Sequence, residues 1–440
     1  MMMRISVMLL ALALPFAGTM ARAEIAIQAV TSPGGITAWL VESHDIPFTA
    51  LEIRFQGGTS LDAPGKRGAV NLMTALIEEG AGDLDAQGFA TARDALAAQF
   101  RFGSNNDEVS VSARFLSENR DQALGLLRSA LIESRFDADA VERVRGQVLT
   151  GLRSDEKDPS AIAARLMSAR NFGDHPYGSS GDGTIESVTA LTRDDILTTH
   201  KGSLARDRVF VAAAGDITAA ELGALLDDLL GGLPATGAAQ PVRAELVKQG
   251  GVLLQDFPGP QSVIQFVQGG IRFEDPDYFA AVLLNEILGG GRFGARLMSE
   301  VRAKRGLTYG IGTGLASMDH AEMLVGQLES ANGKVAEAID VIRAEWAKIA
   351  TDGVTQEELD TTKTYMTGSY PLRFDGNAQI AGILVGMQMM GLTPDYPATR
   401  NARVEAVTMA DVKRVAARLF QPDELFFVVV GQPEGIVTTD

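Results

Sequence analysis

A segment near the start of this chain returns near its middle at a fixed distance. Gln56-Gly57-Gly58, Asp62, Pro64, Val70 and Leu72 line up with Gln268-Gly269-Gly270, Glu274, Pro276, Val282 and Leu284, each 212 residues later. In both copies the glycine pair leads into an apolar stretch at helical spacing. The order of strand, turn and helix agrees as well, which points to an internal duplication. The expected fold is α+β: two similar domains, each an antiparallel sheet with helices packed on one face, at residues 24–235 and 248–440. The small, unpatterned stretch from Gly231 to Pro241 reads as the connection, with a linker at 236–247. A length of 440 residues, 46% of them hydrophobic, is enough for two sizeable cores.

Residues 1–23 read as a signal peptide. Arg4 precedes an apolar run from Ile5 to Ala17 that is too short to span a bilayer, and Ala21-Arg22-Ala23 fits the small-x-small cleavage rule. The mature chain is expected to begin at Glu24, exported and periplasmic, with no stable membrane span after cleavage. A retained anchor is the alternative, but Pro15 and Gly18 interrupt the run. The 39 basic and 56 acidic residues give a formal net charge of -17, and loss of Arg4 and Arg22 leaves 37 against 56, or -19. Such a surface argues against nucleic acid and anionic lipid and favours a basic substrate or partner face. With no cysteine, thiol catalysis and thiolate metal sites are excluded.

Strands are expected at Thr37–Glu42 and Phe48–Gln56, then a helix from near Lys66 that Gly80 ends. A helix at 86–99, strands at 100–103 and 108–116, and helices at 120–132 and 137–157 follow, with Asp158-Pro159 as a breaker. The segment Asn171 to Gly183 reads as a loop, 208–214 as a closing strand and 218–230 as a helix.

Gly289-Gly290-Gly291-Arg292-Phe293-Gly294 has the spacing of a dinucleotide fingerprint. The preceding residues, Tyr278 to Leu288, are helical in pattern where that fingerprint requires a strand, so the glycines read as a helix stop and close-approach turn. Ser154-Asp155-Glu156-Lys157 matches S-x-x-K without its companion motifs and reads as an exposed helix end. His44, His175, His200 and His320 are the only histidines, and no two stand at i, i+4 as a helical zinc site requires. Glu78, Glu79, Asp83 and Asp85 read as solvated residues at a helix end. Gly306 suits the end of a helix from Phe293, with a strand from Leu307, so Arg302 and Tyr309 flank one corner.

Several of these stretches together resemble the pitrilysin/insulinase, or inverted zincin, peptidases, the family that includes the mitochondrial processing peptidase. The likeness rests on Gln56-Gly57-Gly58, His175-Pro176-Tyr177-Gly178 with Gly183-Thr184-Ile185, Leu191-Thr192-Arg193-Asp194-Asp195, Gly215-Asp216-Ile217 and the run Leu288 to Gly310, and it covers essentially the whole mature chain. Active members carry H-x-x-E-H on the first helix, with a further glutamate about 75 residues on. Aligned through Gly68, this chain offers Asn71, Thr74 and Ala75 at the motif and Gly151 at the downstream position, so the resemblance implies a degenerate zinc site that binds no metal. It also implies that Arg302 and Tyr309 are a substrate-binding pair. A chain of that profile is not catalytic alone. Its expected partners are a zinc-bearing homologous subunit, in a heterodimer, and a peptide substrate. Two other readings stand beside it: a non-enzymatic scaffold or assembly protein of the same fold, and a self-sufficient hydrolase of unrelated mechanism.

Overall fold

The computed structural model describes residues 25–247 and 250–439. The signal-peptide reading of 1–23 lies outside them. The strands, in chain order, are β1 (Gln28–Thr31), β2 (Thr37–Glu42), β3 (Phe48–Gln56), the short hairpin β4 (Gly80–Ala81) and β5 (Leu84–Asp85), β6 (Gln99–Ser104), β7 (Glu108–Leu116), β8 (Val209–Gly215), β9 (Gly251–Asp256), β10 (Gln261–Gly269), β11 (Ile311–Ser317), β12 (Glu322–Ala331) and β13 (Phe426–Gly431). One sheet has the order β1-β2-β8-β3-β7-β6 and the other β11-β12-β10-β13-β9. Read from the opposite edge, the second sheet repeats the first: β9, β13, β10, β12 and β11 take the places of β2, β8, β3, β7 and β6. The chemistry of duplication extends to direction. Each sheet is antiparallel except for one parallel pair, β2 with β8 and β9 with β13. The fold is α+β, and that one parallel pair per sheet refines the purely antiparallel expectation.

Each sheet packs one face on helices of its own half, in cores around Leu40, Ile53, Phe55 and Val111, and around Ile264, Phe266, Leu324 and Phe427. The opposite faces are covered by exchange. The helix Pro159–Phe172 of the first half sets Ile162, Ala163 and Met167 against Val267, Phe426, Val428 and Val430 of the second sheet. The helix Asn377–Met389 of the second half sets Leu384, Val385 and Met387 against Trp39 and Ala212, and Ala381 against Ala50 and Ala214, of the first. Alanines on β3 and β8 let that helix lie close to the sheet. The connecting segment has no regular structure but is tied down on both sides: the Ala238 amide donates to the Gly202 carbonyl at 2.8 Å and the Ala244 amide to the His320 carbonyl at 2.8 Å.

The helix Pro159–Phe172 is a correction. Asp158-Pro159, expected as a breaker, begins it instead: the Asp158 carboxylate accepts from the Ser160 and Ala161 amides at 2.7 and 3.2 Å, and proline fits the first helical turn, where its missing N–H is no loss.

Candidate functional site

The first helix runs over Ala69–Leu76, shorter than its sequence pattern. It starts behind Gly68, which has φ 92°, and the Asp62 carboxylate supplies the cap that a neighbouring residue would normally give, accepting from the Gly68 and Val70 amides at 2.8 Å each. A side chain at Gly68 would meet the Asp182 carbonyl oxygen at 2.7 Å, so the helix start is seated where only glycine fits. Along it, Asn71 is half-buried, Thr74 is buried with an unpartnered hydroxyl, and Ala75 is exposed; Gly151 is exposed on the helix Ala138–Asp155. Zinc is held by imidazole, carboxylate or thiolate. These positions supply an amide, a hydroxyl, a methyl and a hydrogen, so the residues present do not fit the metal. The nearby carboxylates are engaged rather than merely solvated: Glu78 pairs with Arg93 at 2.9 Å, Glu79 with Arg143 at 2.5 Å, and Asp85 caps the next helix through the Gly88 amide at 2.8 Å.

The glycine triplet ends the helix Tyr278–Leu288, and its close approach is to β11. The Gly289 and Gly290 amides both donate to the Asn285 carbonyl at 2.9 Å, the Gly289 carbonyl accepts from the Thr313 amide at 2.8 Å, and a Cβ on Gly289 would lie 2.4 Å from the Thr313 hydroxyl. The next helical turns cover 296–303, later than the expected start at Phe293, because Gly291 to Gly294 are spent turning away from β11. Gly306, at φ 60°, closes them with its amide on the Arg302 carbonyl and that of Leu307 on the Val301 carbonyl, both at 2.9 Å. The strand begins at Ile311 rather than Leu307, since the Thr308 hydroxyl bonds the Gly310 and Glu329 carbonyls and holds a turn ahead of it.

Tyr309 sits on that turn with 87% of its surface exposed. It lines a cavity of about 1020 Å³ together with Thr308, Gly289, Gly291, the β10–β12 face around Val263, Gln265, Val325 and Gln327, and Ser160 and Met167 from the first half. Arg302 is outside those walls. Its guanidinium stacks on the exposed Phe293 ring at 4.9 Å, and no carboxylate oxygen among the described residues lies within 4 Å of it. The structure therefore sets Tyr309 in the cavity and Arg302 one corner away.

A second polar cluster was not legible as such in the sequence. The tips of the equivalent hairpins β6–β7 and β11–β12 meet, and there Asp107 accepts from the Asp319 amide at 3.3 Å across a separation of 212 residues, the offset of the repeat. The Tyr177 hydroxyl donates to Asp107 and accepts from the His320 amide at 3.2 Å, while Gln56 donates to the Asp319 carboxylate at 2.7 Å. Burial raises the Asp107 carboxyl, against the hydrogen bond from Tyr177, and burial lowers His320. His175 places its ring 6.1 Å from that of His320, but its nitrogens are taken by the Tyr177 amide and the Val242 carbonyl. The His-Pro-Tyr-Gly stretch is thus a clasp between the halves. Among the described residues no group of three or more histidine or acidic side chains is placed to hold a metal ion.

This geometry defines a duplicated α+β chain whose first helix, Ala69–Leu76, carries no histidine, cysteine or carboxylate. Residues 190–366 match the family described as the Peptidase M16 inactive domain. Over 393 residues the chain is 23% identical to the non-peptidase homolog YmxG of Helicobacter pylori, covering 88% of this chain and 90% of that one. It is 21% identical to the probable mitochondrial-processing peptidase subunit beta of Schizosaccharomyces pombe, over 93% and 92%. A solved peptidase M16 inactive domain from Pseudomonas fluorescens superposes with a TM-score of 0.87 at 29% identity, covering 94% of this chain and 99% of that one. The chain is thus similar to M16, or pitrilysin/insulinase, peptidases and to inactive members among them, and its own first helix lacks the zinc motif.

Proposed function

We propose that this chain is the non-catalytic, substrate-binding subunit of an exported, periplasmic zinc metallopeptidase that degrades or processes peptides. The observation that carries the reading is the cavity beside Tyr309 on an M16 chain whose motif positions are not ligands. Hydrolysis of this type needs a metal-bound water and a base. Both come from a zinc-bearing homologue carrying H-x-x-E-H, paired with this chain as a heterodimer; the Schizosaccharomyces relative, named as a subunit, supports such pairing. The contribution of this chain is to orient the peptide. The Tyr309 hydroxyl donates to the bound main chain or to the oxygen that becomes negative, and Arg302, which has no carboxylate oxygen within 4 Å among the described residues, donates charge-assisted hydrogen bonds to a substrate carbonyl. Mixing the purified chain with the zinc-bearing homologue tests the reading. Cleavage that needs both chains supports it; stable association with no gain in cleavage favours a scaffold.

A further inference from the structure

Next to the Tyr309 cavity lies a smaller one of about 330 Å³, lined by Glu286, Gly291, Arg292, Tyr365, Met366, Ser369, Tyr370, Arg373 and Arg400. Gly291 lines both. In a chain of net charge -17, this pocket gathers three guanidinium groups and one carboxylate. None of the three arginines has a carboxylate oxygen within 4 Å among the described residues, and Arg292 and Arg400 face aromatic rings and neutral acceptors. Arg292 stacks on Tyr365 at 4.8 Å and donates to the Thr362 hydroxyl at 2.9 Å, leaving its Nε buried and unpartnered. Arg400 stacks on Tyr370 at 4.5 Å and donates to the Met366 carbonyl at 2.9 Å and the Asn401 side chain at 3.0 Å. Burial, and after it the like charge of Arg373, holds Arg400 below the ordinary arginine range. Stacking and neutral acceptors fix the planes of the Arg292 and Arg400 groups without cancelling their charge, which is how a site for a planar anion is prepared.

We propose that this pocket is a carboxylate subsite, in which a peptide seated in the Tyr309 cavity passes over Gly291 and places either its C-terminal carboxylate or an acidic side chain between Arg292, Arg373 and Arg400. The proposal rests on the peptide-binding reading of the larger cavity. Gly291 suits the crossing, since no atom lies within 4 Å of a Cβ built on it and the passage over it is open. The subsite reverses the preference that the overall charge suggests: the acidic surface attracts basic peptides, while this one position takes a negative group.

The test is fluorescence anisotropy with the mature chain and one labelled neutral peptide in three forms: free C-terminal carboxylate, C-terminal amide, and C-terminal amide with one internal glutamate. The carboxylate form, the glutamate form or both should bind about tenfold or more tightly than the neutral amide. Which form gains identifies the source of the carboxylate. Arg373→Gln, at an exposed position, should cut that preference about tenfold and leave the neutral amide unchanged; Arg292→Gln should do the same. Equal binding of all three forms, or a preference that survives both substitutions, overturns the subsite and leaves the larger cavity as a peptide site. Failure of every form to bind removes the peptide reading itself, and the subsite with it.

Discussion

Tyr309 and Arg302 show how far a single side chain can be argued. Tyr309→Phe keeps the ring and removes one hydroxyl from an exposed position, so folding should be unaffected. In the assembled peptidase, loss of a charge-assisted hydrogen bond worth about 1.5 to 3 kcal/mol on Arg302→Ala should lower kcat/KM roughly 10- to 100-fold, with a smaller or comparable loss for Tyr309→Phe depending on whether its bond forms in the ground state or the transition state. Unchanged turnover in both, with normal melting and association, would leave them as ordinary corner residues. His200 is the opposite case, a buried group with a stability role. It packs edge-on against Phe136 at 5.5 Å with its Nε2 unpartnered, and burial lowers its pKa to about 4. The folded value is depressed, so its contribution is present above the unfolded value near 6.5 and is lost as pH falls through about 4, a total of about 3 kcal/mol. Denaturant midpoints should therefore fall between pH 7 and 4.5 in the native chain and fall less in His200→Leu. Equal slopes would show that His200 does not titrate between the two states. What the sequence displayed at this scale was set by spacing. Arg302 and Tyr309 are seven positions apart and visible as a pair, whereas Arg292, Arg373 and Arg400 come from three separate elements and carry no motif.

At the level of elements, the regular parts were readable because burial on one face imposes a period. The strands Thr37–Glu42, Phe48–Gln56 and Glu108–Leu116 and the helices Arg120–Ile132 and Tyr278–Leu288 fall where their patterns put them. The exchanged helices were not readable. Pro159–Phe172 and Asn377–Met389 carry apolar residues on more than one side, so no single stripe marks them. Their consequence is testable. Leu384 is fully buried against the first sheet, and Leu384→Ala should cost about 2 to 5 kcal/mol. The two tryptophans report on the two halves: Trp39 stands in the cluster around Leu384, and Trp346 is buried in the second core, donating to the Gln268 side chain at 2.5 Å. In single-tryptophan chains made by Trp39→Phe or Trp346→Phe, urea unfolding curves should coincide, and Leu384→Ala should move both midpoints together. Separate transitions would mean that the exchanged helices do not couple the halves.

On the scale of the whole molecule, the contacts that hold the fold are separate from the residues at the zinc-motif positions. The motif helix is still positioned by Asp62 and Gly68, and the halves are still clasped by Asp107, Asp319 and Tyr177, none of which is a metal ligand. Asn71, Thr74, Ala75 and Gly151 take no part in any of these contacts. The central claim is that this chain contributes binding and a partner contributes the metal. The most direct measurement is peptide cleavage by four samples in zinc-containing buffer: this chain, a zinc-bearing H-x-x-E-H homologue, the mixture, and the mixture with Arg302→Ala and Tyr309→Phe in this chain. The account predicts negligible cleavage by this chain, little by the homologue, a large gain on mixing, and loss of much of that gain with the substituted chain. Robust zinc-dependent cleavage by this chain alone would contradict it.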